Sequence, residues 1–395
     1  MDPRPLALPN LKHAATEKTF RQRFMQTKNL LMTAQNYRRA VQAGFLITVL
    51  WIGVDFIGFV ETLESGKIPS IRRPPGVEAF LPISALISLK YWILTGIINP
   101  IHPAGLLIFL MILGTALVLK KGFCSWVCPF GLFSEILAKA HHRLFGRTIH
   151  PPLWLDLLLR SLKYLILLFF FWAILVQMDG RSLETFIYSP YNRVADIKML
   201  KFFTQISTFS LGVIILLILF SILLPYFWCR YLCPYGALLG ILSLLSPARI
   251  RRENALCIGC EKCTRACPSR IRIHEKKSVC SDECHACMNC IDICPVPGAL
   301  HLSFVKTGRP VKPWIYATLV LLIFVGGSSL GKAAGYWQND VPIKEYLFHM
   351  HHLNLPVYQH HRGSVPEYDR TLYSHPGPFP KKRFQDETEV HDETH

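Results

Sequence analysis

Eight cysteines stand in two runs of the same spacing, Cys257-IG-Cys260-EK-Cys263-TRA-Cys267-Pro268 and Cys284-HA-Cys287-MN-Cys290-IDI-Cys294-Pro295. A cysteine at every third residue forces a tight loop whose thiols converge, and convergent thiolates are metal ligands. Nine of the chain's 13 cysteines fall between Cys257 and Cys294, which argues against a disulfide scaffold. Structural zinc is usually held by two pairs, without a second run of four and a trailing proline. The pattern calls for iron–sulfur clusters.

In a bacterial two-cluster ferredoxin run, three thiolates of one loop share a cubane and the fourth cysteine reaches across to the other. The first [4Fe-4S] cluster is therefore expected on Cys257, Cys260, Cys263 and Cys294, and the second on Cys284, Cys287, Cys290 and Cys267. Cys280 is read as a spare thiol, because the spacing Cys280-SDE-Cys284-His285 is one residue too long for a haem attachment site.

The rest of the chain is far more apolar. Of 395 residues 51% are hydrophobic, yet the formal charge is +17, which excludes a disordered, collagen-like or plain soluble globular chain. Apolar runs at 41–60, 103–119, about 158–177, about 209–227 and about 313–330 approach the roughly 20 residues a helix needs to cross a bilayer. Five spans are expected. The stretch 80–101 holds Pro82, Lys90 and Asn99 and is read as re-entrant or interfacial. Residues 1–40 carry eight basic and two acidic residues and read as a basic cytoplasmic arm.

An internal repeat organises these runs. KKGFCSWVCPFGLFSEIL at 120–137 and PYFWCRYLCPYGALLGIL at 225–242 share a CxxxCP motif offset by 105 residues, and Pro82 with Lys90 matches Pro190 with Lys198. The expected division is a basic arm 1–40, a first membrane repeat 41–137, a cytoplasmic loop 138–157, a second repeat 158–248, a two-cluster segment 249–312, a fifth span 313–331 and a His-rich tail 332–395. Residues 229–313 hold thirteen basic against six acidic residues, whereas 61–103 and 179–202 hold four against three each. The positive-inside bias then puts the cysteine runs in the cytoplasm and the tail outside.

Cys124 with Cys128 and Cys229 with Cys233 are the cysteines of the repeats. Residues four apart share a helical face, and the following proline is read as ending that turn. The four thiols form a candidate membrane redox centre, holding a further metal or a thiol couple; buried packing cysteines are the alternative. Asp55, Lys90, His102 and Lys198 are ionisable groups at apparent membrane depth, hence a candidate quinone or proton site, with snorkelling to the interface as the alternative. His102 is the only histidine near a span, so haem b is not expected. In the tail, His349, Met350, His351 and His352 form a candidate outer metal site, with His360 and His361 further on.

Two CxxxCP membrane repeats followed by a two-cluster segment resemble the membrane polyferredoxins of the NapH, NosR and CcoG type over roughly residues 40–302. The resemblance implies that Cys124, Cys128, Cys229 and Cys233 take the place of the family's cytoplasmic CxxxCP motifs, and the eight run cysteines that of its cluster ligands. The chain is expected to depart from the pattern: no large outer domain is read before the first span and no immunoglobulin-like domain at the C-terminal side, and a fifth span and a His-rich tail are read as additions.

The expected protein is an α-helical integral membrane protein of the bacterial inner membrane, with about five spans in two-span repeat units and a small α+β two-[4Fe-4S] ferredoxin segment. Its expected work is electron transfer between the quinone pool and a redox partner (an oxidoreductase, cytochrome or ferredoxin), as a candidate quinol dehydrogenase subunit. Its expected surroundings are the lipid bilayer, with no nucleic acid. A membrane metal reductase serving cofactor assembly, and a membrane-anchoring redox subunit, are the alternatives.

Overall fold

The computed structural model describes residues 33–146, 151–305, 308–353, 355 and 358. Most of the basic arm, and the tail beyond 358 with His360 and His361, lie outside the described residues.

Helix α1 (Ala34–Glu64) leads through a 3-10 turn (Pro75–Phe80) to α2 (Pro82–Thr95) and α3 (Pro103–Leu119). The first CxxxCP motif runs from within α4 (Gly122–Trp126) to the first residue of α5 (Pro129–Phe145). Next comes α6 (Leu153–Phe171), continued as a π-helix (Trp172–Gln177), and then α7 (Gly180–Tyr188), α8 (Pro190–Arg193), α9 (Ala195–Thr204) and α10 (Thr208–Leu223). A π-turn (Trp228–Leu232) and α11 (Pro234–Ser243) frame the second motif. The cysteine-run segment contributes β1 (Ala248–Arg252), α12 (Lys262–Arg265), α13 (Asn289–Asp292) and β2 (Leu300–Phe304). Helix α14 (Pro313–Leu321) runs on through a π stretch (Leu322–Gly326) into α15 (Gly327–Ala333), and α16 (Ile343–His351) follows.

Three helices among the described residues, Ala34–Glu64, Leu153–Gln177 and Pro313–Ala333, are long and apolar enough to cross a membrane. The pair α9 and α10, bent by 80°, raises the number to four at most. At 17 residues α3 is a shorter apolar helix, at the lower end of the roughly 17–25 residues that a span takes. The expected five spans are thus not reproduced by length and composition. Large apolar side chains are exposed along the long helices, among them Trp51 at 68%, Leu168 at 64% and Leu322 at 65%, as lipid contact demands.

Helix α1 starts earlier than the apolar run alone indicates, because its first turns bind protein. Asp292 accepts from the Ala34 and Gln35 amides at 3.2 and 2.9 Å, and Arg38 pairs with Glu135 at 2.8 and 3.0 Å. Helix α6 likewise begins at Leu153 rather than near 158, and so takes in Asp156 as well as Lys163 of the expected run.

Two apolar cores lie at opposite ends of α1. The start of α1 packs with the two-stranded sheet, Trp126 and Tyr316 around the cysteine runs. Its far end packs with Ile87, Ile101, Leu183, Val194, Val341 and Tyr346, gathering the stretches 77–101, 174–200 and 341–358. The sheet is antiparallel with Ile250 opposite Leu302, which joins the ends of the segment and holds the loops between them.

Candidate metal centres

Each cysteine run folds the same way. Gly259 and Glu261 in the first run, and Ala286 and Met288 in the second, all have positive φ between 49° and 68°. Left-handed residues at alternate positions turn successive amides to one side, which makes a concavity for negative charge. The Gly259 amide favours the Cys257 thiolate, as the Ala286 amide does that of Cys284 and the Asn289 amide that of Cys287. Glycine spares the first loop the Cβ clash that Ala286 bears in the second.

The loops enclose two small cavities with separate cysteine sets. One is lined by Cys257, Cys260, Cys263 and Cys294. The other is lined by Cys267, Cys284, Cys287 and Cys290. Each cavity thus brings together three cysteines of one run and the last cysteine of the other. Burial pushes the Cys267 thiol up to about 11 and Cys287 up to about 12, so bare thiols here stay protonated, whereas metal binding compensates the thiolate. The donor set therefore fits [4Fe-4S] clusters. Cys280 is exposed and lines neither cavity.

The CxxxCP motifs also repeat in three dimensions. In both, the second cysteine's amide donates five residues back, Cys128 to Phe123 at 2.9 Å and Cys233 to Trp228 at 3.0 Å. The widened turn ends with Cys128 and Cys233 as N-caps of α5 and α11, each followed by proline at the first helical position. The proline thus opens the next helix rather than ending the turn, since its fixed φ and missing N–H suit that position. The Gly236 amide donates to the Cys233 sulfur at 3.3 Å.

All four motif cysteines line one cavity of about 1450 Å³, larger than the ~300–1,000 Å³ of most ligand pockets. Ser134 of the first motif stands 3.2 Å from the Cys229 sulfur of the second. Tyr235 packs on Phe109 and Phe123. Elsewhere the lining is mostly apolar, with Phe170, Trp314 and Phe324 among its walls, and Lys121, Arg230, Glu283 and His285 form a polar end.

That polar end is where the membrane helices meet the second cysteine run, and it holds an ion pair that sequence reasoning missed. Lys163 of α6, fully buried, stands 2.5 Å from Glu283. Tyr164 donates to Asp282, and the Trp126 indole to the Ala286 carbonyl at 3.0 Å. Burial raises the Glu283 carboxyl, but Lys121 and Lys163 outweigh it and hold the group below its ordinary value. The available signal was a lysine inside an apolar run, LLLRSLKYLILL.

The four candidate quinone or proton residues do not converge. Asp55 accepts from the Trp51 indole one turn away at 2.8 Å. Lys90 caps the π-helix end through the Ile174, Leu175 and Met178 carbonyls. Lys198 donates to the Tyr358 carbonyl. His102 joins a buried network not foreseen from sequence: Arg73 pairs with Glu78 at 2.7 Å and Asp196 at 2.5 Å, and the His102 Nε2 lies 2.6 Å from the Asn192 carbonyl.

The tail histidines are likewise engaged one by one. His349 is buried against the Tyr358 hydroxyl at 2.5 Å and near Glu345, while His351 and His352 bond the Leu347 and Phe348 carbonyls of their own helix. Met350 packs against the far-end core. Among the described residues no three His, Cys, Asp or Glu side chains close on a single metal ion; a four-iron cluster holds its thiolates farther apart than one ion does.

The family described as "4Fe-4S binding domain" matches the chain twice, over residues 101–148 and 206–253, and that described as "4Fe-4S dicluster domain" matches 249–295. The Escherichia coli (strain K12) protein named "Putative electron transport protein YccM" is 40% identical over 319 residues, 79% of this chain and 89% of its own length. The chain belongs to the membrane polyferredoxin family of the NapH and NosR type. "Ferredoxin-type protein NapH" of Haemophilus influenzae is 29% identical over 204 residues, 49% of this chain and 64% of its own. "Protein NirI" of Paracoccus denitrificans is 30% identical over 285 residues, 68% of this chain and 37% of its own. No solved structure matches. The polyferredoxin is an iron–sulfur electron-transport protein of the membrane, and its two "4Fe-4S binding domain" matches begin 105 residues apart, the interval of the CxxxCP pairs.

Proposed function

We propose that this polyferredoxin passes electrons between the quinone pool and a protein redox partner, with Cys257, Cys260, Cys263 and Cys294 holding one [4Fe-4S] cluster and Cys284, Cys287, Cys290 and Cys267 the other. When bound, such clusters supply one-electron redox chemistry at potentials tuned by charge, hydrogen bonding and exposure. The chain's own contribution is to bury the thiolates, aim amides at them and exclude water. The observation that carries the quinone link is the apolar cavity, which is continuous from the membrane helices to the four CxxxCP cysteines and the loop before Cys284. A large apolar cavity with a few polar groups at one end suits a ring with a lipid tail.

The proposal includes two-span repeat units, five spans with α3 as the second, the domain division given above, a cytoplasmic ferredoxin segment and an extracytoplasmic tail. It is supported by the charge bias and by the gathering of 77–101, 174–200 and 341–358 at the end away from the cysteine runs.

The test is anaerobic reduction of the purified protein by a quinol, followed by EPR and absorbance, in wild type and in a Cys124→Ser/Cys229→Ser variant. Reduction that disappears in the variant while both clusters remain assembled is the expected result. Clusters that quinol never reduces, but that a low-potential soluble donor does, sink the quinone link.

A further inference from the structure

The two cysteine cavities differ in their surroundings. The loop carrying Cys284 and Cys287 is fastened to the membrane elements at Glu283, His285, Ala286 and Cys287, whose partners are Lys163, Ser125, Trp126 and Gln35. The equivalent loop of the first run, 27 residues earlier, bonds within its own segment: the Cys257 amide to Asn254 at 3.3 Å, and Arg265 to the Cys260 carbonyl at 2.9 Å. Its apolar residues face outward. Leu256 is 46% exposed, Ile258 67%, and Ile293, beside Cys294, 48%.

Ile258 occupies the position that His285 holds in the second run, where the neighbouring groups are covered by membrane helices. Ile258 lines this cysteine cavity, and the exposed Leu256 and Ile293 each stand next in sequence to one of its cysteines, Cys257 and Cys294. Around them the chain is basic: residues 249–277 carry nine Lys and Arg against three Glu. A small apolar centre inside a field of one sign is the make-up of a transient docking face. The centre excludes water on contact, and the surrounding charge speeds encounter with a partner of opposite sign.

We propose that the face around Cys257, built by Leu256, Ile258 and Ile293, is the port at which this protein exchanges electrons with a small acidic electron-carrier protein. The inference rests on the electron-transfer reading above and adds to it the partner class and the side of exchange. The exchange is of single electrons: the carrier loses or gains one as the port gains or loses one, and no bond forms or breaks. The Cys284 side, locked to the membrane motifs, is the inner end of the same relay.

The test measures complex formation by the full-length, cluster-loaded protein in lipid nanodiscs, with an acidic two-[4Fe-4S] bacterial ferredoxin as the probe. Binding is read by calorimetry at ionic strengths of roughly 0.01 and 0.1 M, where the Debye length falls from about 30 to about 10 Å. Ile258→Asp is expected to weaken binding about tenfold, or ~1.4 kcal/mol, and Lys262→Glu to weaken it and flatten its salt dependence. Both side chains are exposed, and EPR checks that both clusters are assembled in each variant before binding is compared. Binding within twofold of wild type in both variants overturns the proposal. So does a wild-type dimer, seen by light scattering, that Ile258→Asp dissolves, since a second copy would then occupy the face. Quinol reduction in the same samples reports separately on the quinone link: intact reduction with unaltered ferredoxin binding refutes the port alone.

Discussion

Gly131 and Gly236 hold the same place in the two CxxxCP motifs, and the structure expects opposite outcomes from the same substitution. Each lies in the first turn of a helix, where alanine is the better helix former by about 0.5–1 kcal/mol. At Gly236 an added methyl meets the Cys229 carbonyl oxygen at 3.5 Å and the Cys233 sulfur at 3.7 Å, ordinary van der Waals contacts. Gly236→Ala is therefore neutral or stabilising by up to ~1 kcal/mol. At Gly131 the methyl falls directly on the Cys124 carbonyl oxygen, with the carbonyl carbon 3.1 Å away. The obstacle is backbone and has no rotamer to escape into, so the first turn of α5 and the Phe123–Cys128 turn must separate. Overpacking of this kind costs about 1–3 kcal/mol, and loss of the Cys128 to Phe123 hydrogen bond adds about 1 kcal/mol. At roughly 2 °C per kcal/mol for a large chain, Gly131→Ala lowers the unfolding midpoint by about 4–8 °C while Gly236→Ala leaves it level or raises it by up to about 2 °C. Thermal unfolding in nanodiscs, with thiol labelling of Cys124 and Cys128 as a local readout, decides between them. Equal shifts of the same sign would refute the asymmetry and the close approach behind it.

Lys163→Met leaves Glu283 as a buried, half-compensated carboxylate beside Lys121 and costs about 3–5 kcal/mol; the Lys163→Met/Glu283→Gln double variant recovers much of the loss, and additive losses in that cycle would show that the pair is not coupled. Glu135, held below its ordinary value because Arg38 and Lys139 outweigh its burial, stabilises the fold above the unfolded carboxylate range and loses that contribution as pH falls through it, below about 4.3. Glu135→Gln should therefore destabilise the protein at pH 7 and flatten its unfolding profile at acid pH, and an unchanged acid limb would contradict the role given to the pair. Lys90→Met strands three carbonyls at the end of the π-helix and should cost about 1–3 kcal/mol without altering quinol-driven reduction; a selective loss of quinol reduction at full stability would return Lys90 to the quinone site.

What could be read from the sequence was whatever is encoded within a few residues. Three cysteines in seven residues cannot avoid sharing a loop, so the spacing groups each triplet, while the crossing of the fourth cysteine is what the ferredoxin pattern implies; each cavity is lined by one triplet and the last cysteine of the other run. The CxxxCP repeat was legible for the same reason, but the role of its proline was not: a proline after a cysteine fits either the end of one turn or the start of the next helix, and only the Cys128 and Cys233 N-caps decide. The span count of the sequence and that of helix length part company where a helix is short, as in α3, or sharply bent, as between α9 and α10, since hydropathy measures length along the chain and not direction in space. The joint between membrane and ferredoxin segment was illegible because its partners are far apart in sequence. Lys163 and Glu283 stand 120 residues from one another, and each alone reads as an anomaly in its own stretch. Such a pair returns little net stability, because desolvation offsets most of its attraction. Apolar residues at both positions would hold the surfaces together in any register, whereas a lysine fixed to a glutamate permits one. The pair therefore sets where the Cys284 loop sits against the CxxxCP motifs, and that placement, more than the strength of the contact, is what a relay between two sets of cysteines requires.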